Sequence, residues 1–172
     1  MANVSAKSIE YVYGDATDPR GDGLKVIVHC CNSIGLWGAG FVVALSKKNT
    51  VPEKMYRAWY KDAYYSSEKV GDVPFRLGRS QLVPFGESTL VCNIIGQEGV
   101  GFKNGPPIRY EAIRSGINMM REVLLKNEKF SVHMPRMGCG LAGGEWPKME
   151  VIIKETLCDY GIPVTVYDFL GK

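Results

Sequence analysis

The sequence predicts an α/β fold, a mixed sheet covered by helices on both faces, and three observations carry that prediction. Short apolar runs alternate with amphipathic segments through most of the chain. Two glycine-rich stretches each follow a strand candidate and precede a helix candidate. Apolar residues make up 45% of the 172, enough for one sizeable core, and the length suits a single domain spanning residues 1–172.

Ile9 to Tyr13 reads as the first strand, closed by Gly14-Asp15 and followed by a Pro-Arg-Gly-Asp-Gly turn at 19–23. Leu24 to Val28 is an apolar run of the buried-strand type. A small-residue helix over Phe41 to Lys47 comes next. A second helix starts near Pro52 and carries Tyr56, Trp59, Tyr60, Tyr64 and Tyr65, whose spacing favours a packed face over a base-stacking surface. Gln81 to Val83 and Leu90 to Ile95 are strands around a Phe85-Gly86 turn. Ile113, Ile117, Met120 and Leu124 repeat at helical spacing. Phe130 to Met134 is a strand ending in Pro135. Pro147 suits a helix first turn, Met149, Ile152, Ile153, Thr156 and Leu157 form its buried stripe, and Gly161 with Pro163 stops it. Val164 to Phe169 is the last strand.

Composition narrows the function classes. The net charge of +3 comes from scattered Lys and Arg, which gives little support to nucleic-acid binding and suits a small anionic ligand. Five cysteines, no CxxC pair and only two histidines argue against a zinc site. Free buried thiols fit a reducing compartment. The first residues lack the apolar core of a signal peptide, and no run approaches a membrane span. The expectation is a cytoplasmic protein with no metal, no cofactor and no membrane partner.

The glycine-rich stretches are Asn32 to Gly40 and Gly138 to Gly144. Glycine lets the main chain approach a ligand, and successive amides beside a helix N-terminus converge on phosphate oxygens. Neither stretch is GxxxxGK[ST], which excludes a Walker-type ATPase, and the absence of GxGxxG after the first strand argues against a standard dinucleotide fold. What remains is a phosphate cradle built from backbone dipoles.

At these residues the sequence resembles the macro domain family over nearly its whole length. Gly14-Asp15-Ala16 is similar to the family's motif after the first strand. Val26 to Asn32 followed by Trp37-Gly38-Ala39-Gly40 is similar to its first ligand loop, and Met134 to Leu141 with Trp146 to its second. Within the family it resembles the branch containing the fungal ADP-ribose-1″-phosphate phosphatase and the terminal ADP-ribose protein glycohydrolase. The resemblance implies a three-layer α/β/α macro domain with a central mixed sheet. Its ligand would be ADP-ribose or ADP-ribose 1″-phosphate, and its reaction hydrolysis of the latter to ADP-ribose and phosphate. Alternatives are removal of ADP-ribose from modified protein or nucleic acid, and non-catalytic reading of ADP-ribose signals. Asp15, with the Ala16 amide, would read the adenine amino group, and Phe169 or Leu170 would pack against the ring. Gly38, Ala39, Gly40, Gly138, Cys139, Gly140, Leu141 and Ala142 would surround the diphosphate and distal ribose, with Asn32 near that ribose. The glycohydrolase's Asp and Lys correspond here to Ala142 and Gln97, which cannot act as nucleophile, base or Schiff-base amine.

His29 stands at the end of the predicted strand and is the candidate general base, against a structural reading as a strand-end histidine. His133 reads as structural, and Cys139, with no Arg soon after it, as a packing residue. Asp15 alternatively caps a turn. Trp37 reads either as a lid beside the distal ribose or as an anchor for its loop. Gln97 to Pro107 is a candidate flap, whose Lys103 and Arg109 would meet a terminal phosphate or remain solvated.

Overall fold

The computed structural model describes residues 5–65, 73–126 and 129–169; Leu170 and the side chains of Tyr64 and Tyr65 lie outside the described residues. Six strands, β1 (Ile9–Tyr13), β2 (Leu24–Asn32), β3 (Ser80–Gly86), β4 (Thr89–Gln97), β5 (Phe130–Met134) and β6 (Val164–Asp168), form one sheet in the order β1-β6-β5-β2-β4-β3. All neighbours are parallel except β3, which runs antiparallel to β4. Helices α1 (Phe41–Lys48), α2 (Val51–Tyr65), α3 (Tyr110–Leu124) and α4 (Trp146–Thr156) cover the two faces, giving three layers.

Strand alternation sends Val26, Val28, Cys92, Ile94, Val132 and Val166 to one face, where Ile113, Ile117 and Met120 of α3 and Met149, Ile152 and Ile153 of α4 meet them. The helix stripes read from sequence supply this core. Gly116 sets how closely α3 approaches: a Cβ there would lie 2.5 Å from Ile94 Cγ2. Ile27, Cys31, Val91 and Ile95 face the other way, against Trp37, Val42, Leu45, Tyr56 and Trp59. The aromatic residues of α2 described here are thus a packed face.

Three boundaries differ from expectation. β2 does not stop at Val28 but continues through Asn32, because it lies between β4 and β5 and its polar residues find buried partners. β3 spans Ser80–Gly86, so Phe85-Gly86 lies within the strand and the reversal comes at 87–88. Pro84 is tolerated because β3 is an edge strand, where a missing amide costs no ladder bond. The last strand ends at Asp168, leaving Phe169 beyond it.

The five parallel strands end on one edge of the sheet, at Tyr13, Asp168, Met134, Asn32 and Gln97. The segments that follow them crowd together there, in the position where open α/β sheets bind ligands.

Candidate functional site

The first loop is built around Asn32. Its Nδ2 donates to the Leu36 carbonyl (2.7 Å), and its Oδ1 accepts the amides of Ile34 and Leu36, both at 3.1 Å. The Tyr56 hydroxyl of α2 lies 2.6 Å from the Asn32 carbonyl oxygen and 2.9 Å from Oδ1. The Asn32 carbonyl oxygens are thus engaged by protein donors, while one of its two Nδ2 hydrogens goes to Leu36, and the residue shapes the loop from below. Gly35 makes the turn at φ 75°. Trp37 is buried, donates Nε1–H to Ser46 Oγ (2.8 Å) and stacks edge-on against His29. It anchors the loop. Arg57, one turn along α2 from Glu53, donates to the carboxylate at 2.9 Å and to the carbonyls of Gly35 and Trp37, both at 3.3 Å.

The second loop folds on itself. The Gly143 amide donates to the Gly140 carbonyl (3.0 Å) and the Gly144 amide to the Gly138 carbonyl (2.7 Å). The Ala142 carbonyl accepts the Ile108 amide at 3.1 Å. Among the described residues, the amides of Gly38, Ala39, Gly40, Gly140, Leu141 and Ala142 meet no protein acceptor. Helix α1 starts at Gly40 with no side-chain cap, so its first-turn donors add to the same positive field.

The segment after β4 closes one end. Gln97 Nε2 donates to the Gly99 carbonyl (2.9 Å), and the Gly99 amide donates to Ser33 Oγ of the first loop (2.9 Å). Val100, Gly101 and Phe102 face inward, whereas Lys103 and Arg109 do not line the space; Arg109 is paired with Glu98 at 3.0 Å. Together the two loops and this segment enclose a cleft of about 750 Å³. Asn32, Trp37 to Gly40, Gly138 and Gly140 to Ala142 all line it, and of the predicted second-loop residues Cys139 alone does not.

His29 sits in mid-strand, 2% exposed, against Trp37 and Phe41 at the wall of the cleft. Its Nε2 is 2.5 Å from Asn93 Oδ1. Asn93 Nδ2 donates to the Pro52 carbonyl and to Gln81 Oε1, so its Oδ1 must accept, which puts the imidazole hydrogen on Nε2. Burial lowers the His29 pKa from 6.5 to about 4, so the ring is neutral near pH 7, with Nδ1 as its basic atom. Burial also pushes the Cys30 thiol up to about 12 and Cys31 well up, so neither is a ready nucleophile. His133 lies outside the cleft, bridging Ser131 Oγ (2.8 Å) and the Tyr167 hydroxyl (2.7 Å).

Asp15, Ala16 and Phe169 lie beyond the adjacent ends of β1 and β6, outside the enclosed space. Asp15 Oδ1 accepts the Thr17 amide (2.8 Å) and hydroxyl (2.7 Å), so it does cap its turn, and among the described residues Oδ2 has no protein partner. Ala16 is buried and Phe169 is 70% exposed.

No protein-family model matches the chain. A macrodomain protein from Streptomyces coelicolor, of known structure, is 43% identical to it and superposes with a TM-score of 0.78, over 94% of this chain and 99% of that one. The chain is a macro domain. Among curated proteins, mouse chromodomain-helicase-DNA-binding protein 1-like is 31% identical over 170 residues. That match covers 97% of this macro domain but 18% of the mouse protein, and the zebrafish counterpart is covered over 15%. Bovine ADP-ribose glycohydrolase OARD1 is 29% identical, over 92% of this chain and 90% of that protein.

Among the described residues, the ionisable side chains lining the macro domain's cleft are His29, Cys30, Cys31, Arg57 and Arg136, with no carboxylate or lysine. Among the described residues no cluster of His, Cys, Asp or Glu is arranged to hold a metal. Sequence reasoning missed Arg57 because it lies twenty residues past the loop it serves. Its one signal was the Glu53–Arg57 spacing on α2. Arg136 lies within the Met134 to Leu141 stretch and is held by both oxygens of Asp168, at 2.6 and 3.0 Å.

Proposed function

We propose that this protein binds ADP-ribose along the carboxyl edge of its sheet and hydrolyses ADP-ribose 1″-phosphate to ADP-ribose and phosphate. The observation that carries the binding is the convergence of two sets of amides, Gly38 to Gly40 and Gly140 to Ala142, with no protein acceptor, on one cleft. Such an array suits a diphosphate. Strand order supports one direction for the ligand. Asp15 and Phe169, beyond β1 and β6, would take the adenine; the loops after β5 and β2 would take the diphosphate; the distal ribose would then lie toward β4, between Gln97 and Phe102. In the hydrolysis, oriented amides would stabilise charge on the transferring phosphoryl group, and His29, whose Nδ1 lies 3.9 Å from the Cys31 thiol, would be the base.

A second reading, release of ADP-ribose from modified protein or nucleic acid, rests on the likeness to OARD1, which is named an ADP-ribose glycohydrolase. Ala142 and Gln97 count against it, because neither supplies a nucleophile or a base. A third, binding without turnover, draws on the absence of a carboxylate or lysine in the lining. One sample distinguishes them. Calorimetry with ADP-ribose should give a one-to-one complex, and ADP-ribose 1″-phosphate should then release phosphate. Binding without phosphate release removes the phosphatase reading, release of ADP-ribose from modified protein or DNA establishes the second, and no binding removes all three.

A further inference from the structure

Among the described residues two cations line the cleft, and they stand on different sides of it. Arg136 follows β5, on the side of β1 and β6, and is paired with Asp168, as Arg57 is with Glu53. Arg57 belongs to α2, which packs over β3 and β4 at the opposite end of the sheet order. Its guanidinium holds the Gly35 and Trp37 carbonyls of the loop after β2, nearer β4 than Arg136 is, and so on the side of the diphosphate loops that faces the end assigned above to the distal ribose.

The guanidinium has five N–H groups. One donates to Glu53 from Nε, one to the Gly35 carbonyl from Nη1, and one to the Trp37 carbonyl from Nη2, which leaves two free. Glu53 is itself fixed, because Ser46 Oγ donates to its other oxygen at 2.8 Å. Its carboxylate thus pins the base of the fork. The side chain of Arg57 is 46% exposed and contributes to the lining, so a planar, permanently charged donor is presented to the cleft in a held orientation. A phosphate monoester accepts such a fork well, whereas a ribose hydroxyl gains little from it.

We propose that Arg57 makes the cleft selective for an ADP-ribose bearing an anionic group, such as a phosphate, on its distal ribose. This rests on the binding direction given above. The alternative for Arg57 is a purely positioning role, in which it holds the Gly35 and Trp37 carbonyls and so keeps the Gly38 amide turned the other way.

The test measures affinity for ADP-ribose by calorimetry and for ADP-ribose 1″-phosphate by displacement of ADP-ribose. Displacement is read at early times, with phosphate release followed in parallel. The wild type should prefer the phosphorylated ligand by about tenfold, the order expected of one charge-assisted contact. Arg57→Gln should abolish that preference, losing about tenfold more affinity for the phosphorylated ligand than for ADP-ribose. Arg57→Lys, which keeps charge without the fork, should retain part of it. Thermal melts of both variants establish that they fold. Equal losses for the two ligands in Arg57→Gln overturn selectivity in favour of loop positioning, as does a preference that survives the substitution. Equal binding of the two ligands by the wild type also overturns it while leaving the ADP-ribose site intact. Failure of ADP-ribose itself to bind overturns the site.

Discussion

Gly140→Val separates ligand binding from stability. Gly140 has no positive φ, a Cβ built on it meets nothing within 4 Å, and the residue lines the cleft. The substitution therefore strains no backbone and displaces no neighbour. Its effect on folding should stay within about 0.5 kcal/mol, a shift in Tm of no more than about 2 °C. The added methyl groups occupy space between the two sets of amides, so a diphosphate loses at least two hydrogen bonds to charged oxygens. At about 1.5–3 kcal/mol each, that is about 3 kcal/mol or more, or at least about a hundredfold in affinity. Gly144→Ala is the contrasting control. A Cβ there would lie 2.5 Å from the Gly138 carbonyl oxygen, a backbone atom that cannot swing away, and the 2.7 Å bond between these residues would open. That variant should lose about 2 kcal/mol and melt about 5 °C lower. Calorimetry with ADP-ribose and a thermal melt on each protein decide the matter. If Gly140→Val binds ADP-ribose within threefold of wild type at an unchanged Tm, the diphosphate does not lie between these loops.

Three further outcomes follow from the buried polar groups. Burial lowers His29 and His133 each from 6.5 to about 4, so between those values the unfolded chain takes up protons that the folded one refuses. Their contribution is whole above pH 6.5 and falls away toward pH 4, by about 3 kcal/mol for His29; urea midpoints measured across that window should decline, and a flat profile would contradict the buried neutral rings. Tyr56→Phe removes the hydroxyl that meets both Asn32 oxygens at the base of the first loop, and should cost about 1–2 kcal/mol in chemical denaturation together with weaker ADP-ribose binding. Arg121→Ala strips the buried Thr156 carbonyl of its 2.8 Å donor and Tyr160 of its stacked cation, and should cost about 3 kcal/mol while leaving ADP-ribose affinity unchanged.

The layers of the fold were legible because apolar spacing reports which face a residue buries. Ile113, Ile117 and Met120 lie on one stripe of α3, and Val26 and Val28 on one face of β2. The two loops were legible because glycine is rarely placed twice, after a strand and before a helix, without a backbone reason. His29 was harder to place. Polarity in a sequence reads as the end of a strand, but inside a sheet a polar residue can be satisfied sideways, and here the register sets His29 beside Asn93 and Asn93 beside Gln81. That cross-strand chain has no signature along the sequence. Asn32 shows the converse: expected near the distal ribose, it does line the cleft, but the bonds to Tyr56 and Leu36 that also make it a scaffold for the loop's turns have no signature in the sequence. Arg57 was hidden among scattered basic residues, and only the packing of α2 reveals which carbonyls it reaches.

The pairing of β1 with β6 has a consequence for how the molecule comes into being. Among the described residues β1 has no other strand neighbour, so this segment waits for Val164–Asp168, made much later, before its ladder can form. Closing so long a loop is entropically slow, and the waiting strand exposes alternate apolar side chains meanwhile. Asp15 and Phe169, which belong to opposite extremes of the chain, become neighbours only at that late step. A nascent chain halted before residue 164 would therefore hold both phosphate loops yet lack the corner assigned to the purine.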